Sequence, residues 1–192
     1  MKIAIINDTH FGIRSDSIAF HEYFKNFYEN EFFPYLEKNN ITHIIHQGDI
    51  VDRRKFINYL RLDIFNKVFV VPCIEKKITA DLIIGNHDTY YKNTNETNCA
   101  NLLIFHENFE VYTKPHLKQY DGVDIGLIPW ICPENLDESV EVLKTTKAQI
   151  LFGHLEISGF SMYKGLVSHE GLNKSIFDRF DMVCSGHFHH KS

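Results

Sequence analysis

The chain has 192 residues, 44% of them hydrophobic, with sixteen Phe, nine Tyr and a formal net charge of −5. That composition excludes disorder and low-complexity structure, and the length suits one domain with a sizeable core, undivided by any linker rich in Pro, Gly or Ser. No apolar run reaches membrane-span length, a cleaved leader would remove Asp8 and His10, and four scattered Cys without a C-x-x-C pair point to reduced thiols in a cytoplasmic protein.

In chain order, Ile3 to Ile6 reads as a short buried strand ending in Asp8-Thr9-His10, where the two-residue period of extended chain points Asp8 and His10 the same way. Ile18 to Lys38, with Phe, Tyr and Glu at helical spacing, predicts a helix returning to the next parallel strand. Its Phe20, Phe24, Phe27, Phe32 and Phe33 are expected in the core. Ile44-Ile45 is the second strand and ends in Gly48-Asp49. Arg53-Arg54-Lys55 follows at once, either meeting a phosphate backbone or opening a solvated helix.

From Phe56 to Lys77 the pattern divides: Val68-Phe69-Val70-Val71 looks like a strand, and Pro72 interrupts any helix. Leu82 to Ile84 is a strand ending in Gly85-Asn86-His87-Asp88, followed by a polar loop, Asn93 to Asn98, and a short helix, Ala100 to Phe105. Val123 to Ile128 is a strand closed by Pro129, and Leu136 to Thr145 is a helix. Ile150 to Phe152 then leads to Gly153-His154, and Met182 to Cys184 to Gly186-His187-Phe188-His189. The alternation predicts an α/β fold with its ligand-type residues projecting from the carboxyl ends of one sheet.

Any one such cluster has an ordinary explanation as a cap or a satisfied polar residue; five in succession do not. Glycine precedes the ligand directly in four of them, which fits a sharp exit from the strand and close approach of backbone to a site. Asp8, His10, Asp49, Asn86, His154, His187 and His189 are too many ligands for one ion. Two ions about 3.5–4 Å apart use this inventory, with Asp49 as bridge, since a carboxylate can offer one oxygen to each metal. Imidazole, carboxylate and amide oxygen suit Mn, Fe or Zn better than Ca. Such a pair activates a water near neutral pH and neutralises charge on a phosphoryl group, so the expected substrate is a phosphate ester. His87 stands apart as the candidate general acid, with Asp88 expected to orient its other nitrogen.

At these residues the chain resembles the calcineurin-like metallophosphoesterases, whose pattern D-x-H, G-D-x-x-D, G-N-H-D/E, G-H and G-H-x-H is present in order from Asp8 to His189. The resemblance implies one metal held at Asp8, His10, Asp49 and His189, and another at Asp49, Asn86, His154 and His187. Local runs such as Gly48-Asp49-Ile50-Val51-Asp52-Arg53, Leu127-Ile128-Pro129-Trp130, Gly153-His154-Leu155-Glu156 and Tyr163-Lys164-Gly165 are most similar to the SbcD-type, or meiotic-recombination-eleven, nucleases and their phage recombination versions. That likeness implies manganese-dependent exonuclease and endonuclease action on DNA in repair, recombination or phage replication, with an SMC-like ATPase as partner. It favours helix over strand between Phe56 and Lys77, where related nucleases form homodimers. Ile64 and Phe65 are the apolar candidates for that contact, and packing against the sheet is the competing reading. Family members continue past the last G-H-x-H into a DNA-contacting cap and a partner-binding segment, so residues 1–192 are expected to be the nuclease domain alone.

The net negative charge makes Arg53 and Arg54 the leading candidates for holding substrate, ahead of Lys92, Lys164 and Lys174. His21, His43, His46, His106, His116, His169 and His190 lack the strand-end context and are expected to be surface or satisfied polar groups. Two other functions compete with a DNA phosphodiesterase: a phosphomonoesterase, for which Asp49-x-x-Asp52-Arg53 speaks, and a non-catalytic DNA- or partner-binding subunit, against which the intact His87 argues.

Overall fold

A computed structural model of the chain describes residues 1–163 and 166–188. Two four-stranded sheets face one another. The first has the order β1 (Ala4–Ile6), β2 (His43–His46), β3 (Thr79–Ile83), β4 (Phe109–Tyr112), all parallel. The second runs from the final strand, Met182–Gly186, through β7 (Ile150–His154) and β6 (Val123–Ile128) to β5 (His116–Tyr120), with only the β5–β6 pair antiparallel. The α/β expectation is met, with the central sheets flanked by helices that the family resemblance implies; the one sheet suggested by the strand runs alone is two. Short apolar runs look alike whichever ladder they join, so sequence could not separate them.

Strand alternation sorts the core into layers. Ile44, Leu82 and Ile84 face the helices on the outside of the first sheet, among Tyr28, Phe33, Leu36, Phe65 and Phe69. Ile45 and Ile83 point the other way and meet Tyr120, Ile125, Leu127 and Phe152 between the sheets. Leu151, Ile128 and Leu143 form a third layer with Phe177 and Phe180 outside the second sheet.

The helical stretch expected from Ile18 to Lys38 is Ile18–Phe27, a π-turn Tyr28–Phe32 and Phe33–Lys38. The same sequence of states recurs in Tyr59–Phe65, Asn66–Val70 and Val71–Glu75, so the strand-like run Val68 to Val71 is helical. Each π-turn lies just before a helix whose first turn holds a proline, Pro34 or Pro72. The wider turn accommodates a residue that has no N–H for the i−4 carbonyl, and the helix continues. Phe65 is buried in this layer and Ile64 packs against it, so both serve the core, whereas Phe20 and Phe27 are partly exposed.

Between the sheets, away from the ligand clusters, lies a buried carboxylate. Asp81 accepts hydrogen bonds from His43 Nε2 (2.8 Å), Lys118 Nζ (2.8 Å), the Tyr112 hydroxyl (3.2 Å) and the Tyr120 hydroxyl. Lys118 and Tyr120 belong to β5, so Asp81 ties one sheet to the other. Burial works to raise its pKa, but the bonds from His43, Lys118 and Tyr120 outweigh burial and hold it at about 2. A carboxyl depressed below its ordinary 3.8 contributes stability that is fully present above that value and is lost as pH falls toward about 2. Asp81→Asn is therefore expected to cost about 2–4 kcal/mol at pH 7. Urea melts across pH should show a flatter decline below about pH 4 than in the parent chain. An equally steep acid limb in the variant would assign that limb to other carboxylates.

Candidate metal centre

The ligand clusters of both sheets meet at the carboxyl ends of their strands. The loop after β1 brings Asp8 and His10, the loop after β2 brings Asp49, and the loop after β3 brings Asn86 and His87. From the second sheet come His154, at the end of β7, and His187. Backbone bonds lace the first two loops together: Asp8 N donates to Gly48 O, and His10 N to Asp49 O. The chain turns sharply here, with Asp8, His10, Asp49 and His187 all at positive φ. Gly48 sits at φ 89°, and a Cβ there would come within 2.6 Å of His154 Nδ1 and 2.7 Å of Gly85. Glycine is thus required by close approach as well as by conformation.

The two oxygens of Asp49 look in different directions. Oδ2 lies 3.7 Å from His10 Nε2, and Oδ1 lies 3.4 Å from His154 Nε2. Asn86 Oδ1 is 2.9 Å from both His154 Nε2 and His187 Nδ1, while the two oxygens of Asp8 accept from His187 N–H. Asp49 accordingly belongs to two compact groups able to hold an ion, one with His10 and His87, the other with Asp8 and His154. Of the residues expected at the site, Asp8, His10, Asp49, Asn86, His154 and His187 are gathered here; His189 lies outside the described residues.

This donor set fits cations. His154 Nδ1 is 2.8 Å from the Gln47 carbonyl, which only accepts, so Nδ1 carries a proton. Its Nε2 faces the oxygens of Asn86 and Asp49, so a protonated ring donates to them in the metal-free chain and a neutral ring would offer its lone pair to a cation held in the same place. Burial alone would lower the His154 pKa, but the Asp49 carboxylate overrides it and raises the value. Burial likewise works to raise Asp49, and the His154 charge with the His87 backbone N–H more than offsets it, keeping Asp49 ionised. His187 Nε2 is buried without a hydrogen-bond partner among the described residues, and burial with the His154 charge lowers its pKa to about 4, leaving a neutral imidazole.

His87 Nδ1 lies 2.6 Å from the Asp52 carbonyl oxygen, and its ring stands edge-on to His10 at 5.0 Å. Nδ1–H donates to that carbonyl, leaving Nε2 for proton exchange. Asp88 does not orient this ring, which corrects the expectation. Its carboxylate turns inward and accepts from the backbone N–H of Asp49 (2.8 Å), Ile50 (2.7 Å), Val51 (3.2 Å) and Gly85 (2.9 Å). Four converging amides outcompete one imidazole, and Asp88 clamps the two ligand loops together. Burial, helped by the Asp49 charge, pushes its pKa up to about 6.

Arg53 and Arg54 both have partners in their own chain. Arg53 pairs with Asp16 at 3.2 Å and covers the Phe56 ring; Arg54 donates to Thr89 Oγ1 and Tyr91 O and covers Trp130. Lys55 lies over Tyr90, so three successive cations each rest on an aromatic face.

His46, expected to be a surface or satisfied polar group, is a buried and fully satisfied one, and its bonds join two ligand loops. Gly48 N donates to its Nδ1 (3.2 Å), so Nε2 carries the proton and donates to Thr9 Oγ1 (3.0 Å), which in turn donates to Ile50 O. Burial lowers its pKa to about 4, so it stays neutral and links the Asp8 and Asp49 loops. Its position on β2, just before Gly48-Asp49, was the available signal. His169 is exposed, as expected of the histidines outside the ligand clusters.

The profile of the calcineurin-like phosphoesterase family matches residues 1–191. "Exonuclease subunit 1" of Enterobacteria phage T4 is 38% identical over 193 residues, an alignment covering 98% of this chain and 55% of the relative, so the chain spans about half that protein's length. Among solved structures, a protein of unknown function from Aquifex aeolicus is similar over 94% of this chain and 87% of its own, at 16% identity and a TM-score of 0.46.

Proposed function

The chain belongs to the calcineurin-like phosphoesterases, and from that premise we propose that it is the nuclease domain of a DNA phosphodiesterase working with two divalent ions, manganese foremost. The observation that carries the reading is the divided carboxylate of Asp49, with one oxygen toward His10 and the other toward His154. One ion would be held by Asp8, His10, Asp49 and His189, the other by Asp49, Asn86, His154 and His187. Bound there, they would activate a water and neutralise charge on the phosphoryl group. The chain's own part is to hold the proton for the leaving group. With Nδ1 fixed on the Asp52 carbonyl, His87 keeps Nε2 for the departing sugar oxygen.

DNA as substrate is supported by the likeness to a phage exonuclease subunit. The cation–aromatic row of Arg53, Arg54 and Lys55 beside Phe56, Trp130 and Tyr90 offers both charge and ring faces to a nucleic-acid strand. A cytoplasmic location goes with that substrate, and no helix among the described residues is long and apolar enough to cross a membrane. The word subunit in the relative's name supports a partner, which we take to be an SMC-like ATPase.

The test is turnover of bis- against mono-nitrophenyl phosphate with Mn²⁺, followed by cleavage of DNA. Preference for the diester is expected. Preference for the monoester, with DNA left intact, would make the protein a phosphomonoesterase.

A further inference from the structure

The ligands come from two separate hydrogen-bonded ladders, so their spacing depends on whatever spans the gap at the carboxyl ends of the strands. Gln47, the residue that follows β2, is completely buried there. Its backbone N–H donates to Ile6 O (2.8 Å) at the end of β1, and its carbonyl accepts the Nδ1 proton of His154 (2.8 Å). Its side chain crosses to the final strand, where Nε2 donates to Cys184 O (2.7 Å) and Oε1 accepts from Cys184 Sγ (3.5 Å). The fit at this point is tight, since a Cβ on Gly186 would lie 2.7 Å from Gln47 O.

We infer that Gln47 is a positioning residue that brackets the two halves of the metal centre, setting His154 and His187 against Asp49 and Asn86. A buried amide is costly unless its donors and acceptor are engaged. Cys184 itself packs against the apolar layer between the sheets, where an aliphatic residue would otherwise belong. The amide donates to the carbonyl while accepting from the neighbouring thiol, a pairing that an ionised Glu, Met or Leu cannot make, which selects Gln over them. The contact falls three residues before His187 in the chain, so loosening it frees that ligand. The carbonyl of the same residue fixes the His154 tautomer, as partners behind metal ligands commonly do.

The inference rests on the two-ion reading, and the experiment separates the two. Mn²⁺ titration calorimetry of the parent chain, Gln47→Met and Gln47→Glu is combined with ¹⁵N imidazole spectra of the metal-free proteins and with thermal melts. The parent is expected to bind two ions. Both variants should bind one of them about 10–100-fold more weakly, the ion that Asn86→Ala also weakens, and leave the other within about threefold. In the metal-free variants the protected Nδ1–H signal of His154 should broaden or shift. Equal weakening of both ions, or a lowered melting temperature with unchanged affinities and an unchanged His154 signal, would reduce Gln47 to an ordinary structural contact and overturn the inference. A parent chain that binds no Mn²⁺ would overturn the two-ion reading and the bracket with it. If Gln47→Met does not fold, the near-isosteric Gln47→Glu decides between these outcomes.

Discussion

Asp49→Ala is expected to lose both cations at once and to drop phosphodiesterase turnover by about 10³-fold or more, because each ion supplies several kcal/mol of charge stabilisation and tenfold in rate is about 1.4 kcal/mol. The reason is geometric: one oxygen lies toward His10 and the other toward His154, so a single deletion removes a ligand from each position. Asn86→Ala should behave differently. Among the described residues its Oδ1 meets His154 and His187, so one ion weakens and the other stays. Calorimetry with Mn²⁺ distinguishes these patterns, and two ions bound normally by Asp49→Ala would rule the bridge out. Asp49→Asn is the companion variant. It retains an acceptor for the His87 N–H but not the second charged oxygen, and should resemble Asp49→Ala in metal content while folding more like the parent.

His87→Ala should retain both ions yet lose turnover on DNA by roughly 10²–10⁴-fold, the usual size of general acid–base assistance. The Asp52 carbonyl fixes one ring nitrogen, leaving the other for the leaving oxygen. A nitrophenolate leaves readily without a proton, whereas a sugar alkoxide does not, so the deficit should shrink on a nitrophenyl diester. Equal deficits on both substrates would turn His87 into an electrostatic or positioning group.

Much of this site was readable before the fold was known, because Gly48-Asp49, Gly85-Asn86 and Gly153-His154 advertise their chemistry locally: an apolar strand, a glycine, then a ligand. The strand-to-loop junction is a short-range event, and sequence records such events well. Asp88 was misjudged because its partners are backbone amides of Ile50 and Val51, far along the chain and carrying no side-chain signature. Gln47 was missed for the same reason, and His46 was legible only as a satisfied polar group, since their roles exist only once two loops or two sheets are side by side. The helix through Pro72 was ambiguous because β-branched residues favour strands, and nothing local announces the π-turn that lets a helix survive a proline. Arg53 and Arg54 were identified by charge alone, and charge does not disclose that Asp16 and Trp130 engage them.

The hydrogen bond from His187 N–H to Asp8 closes a loop of 179 residues, joining the first strand's exit to the last strand's. Contacts of such sequence separation form late, since the intervening chain must be ordered before its ends can meet. A nascent chain that has extended through the Asn86 loop therefore has the Asp49 half of the centre and no imidazole opposite it. In the two-ion reading proposed above, such a chain would lack the His154 and His187 ligands until the second sheet docks.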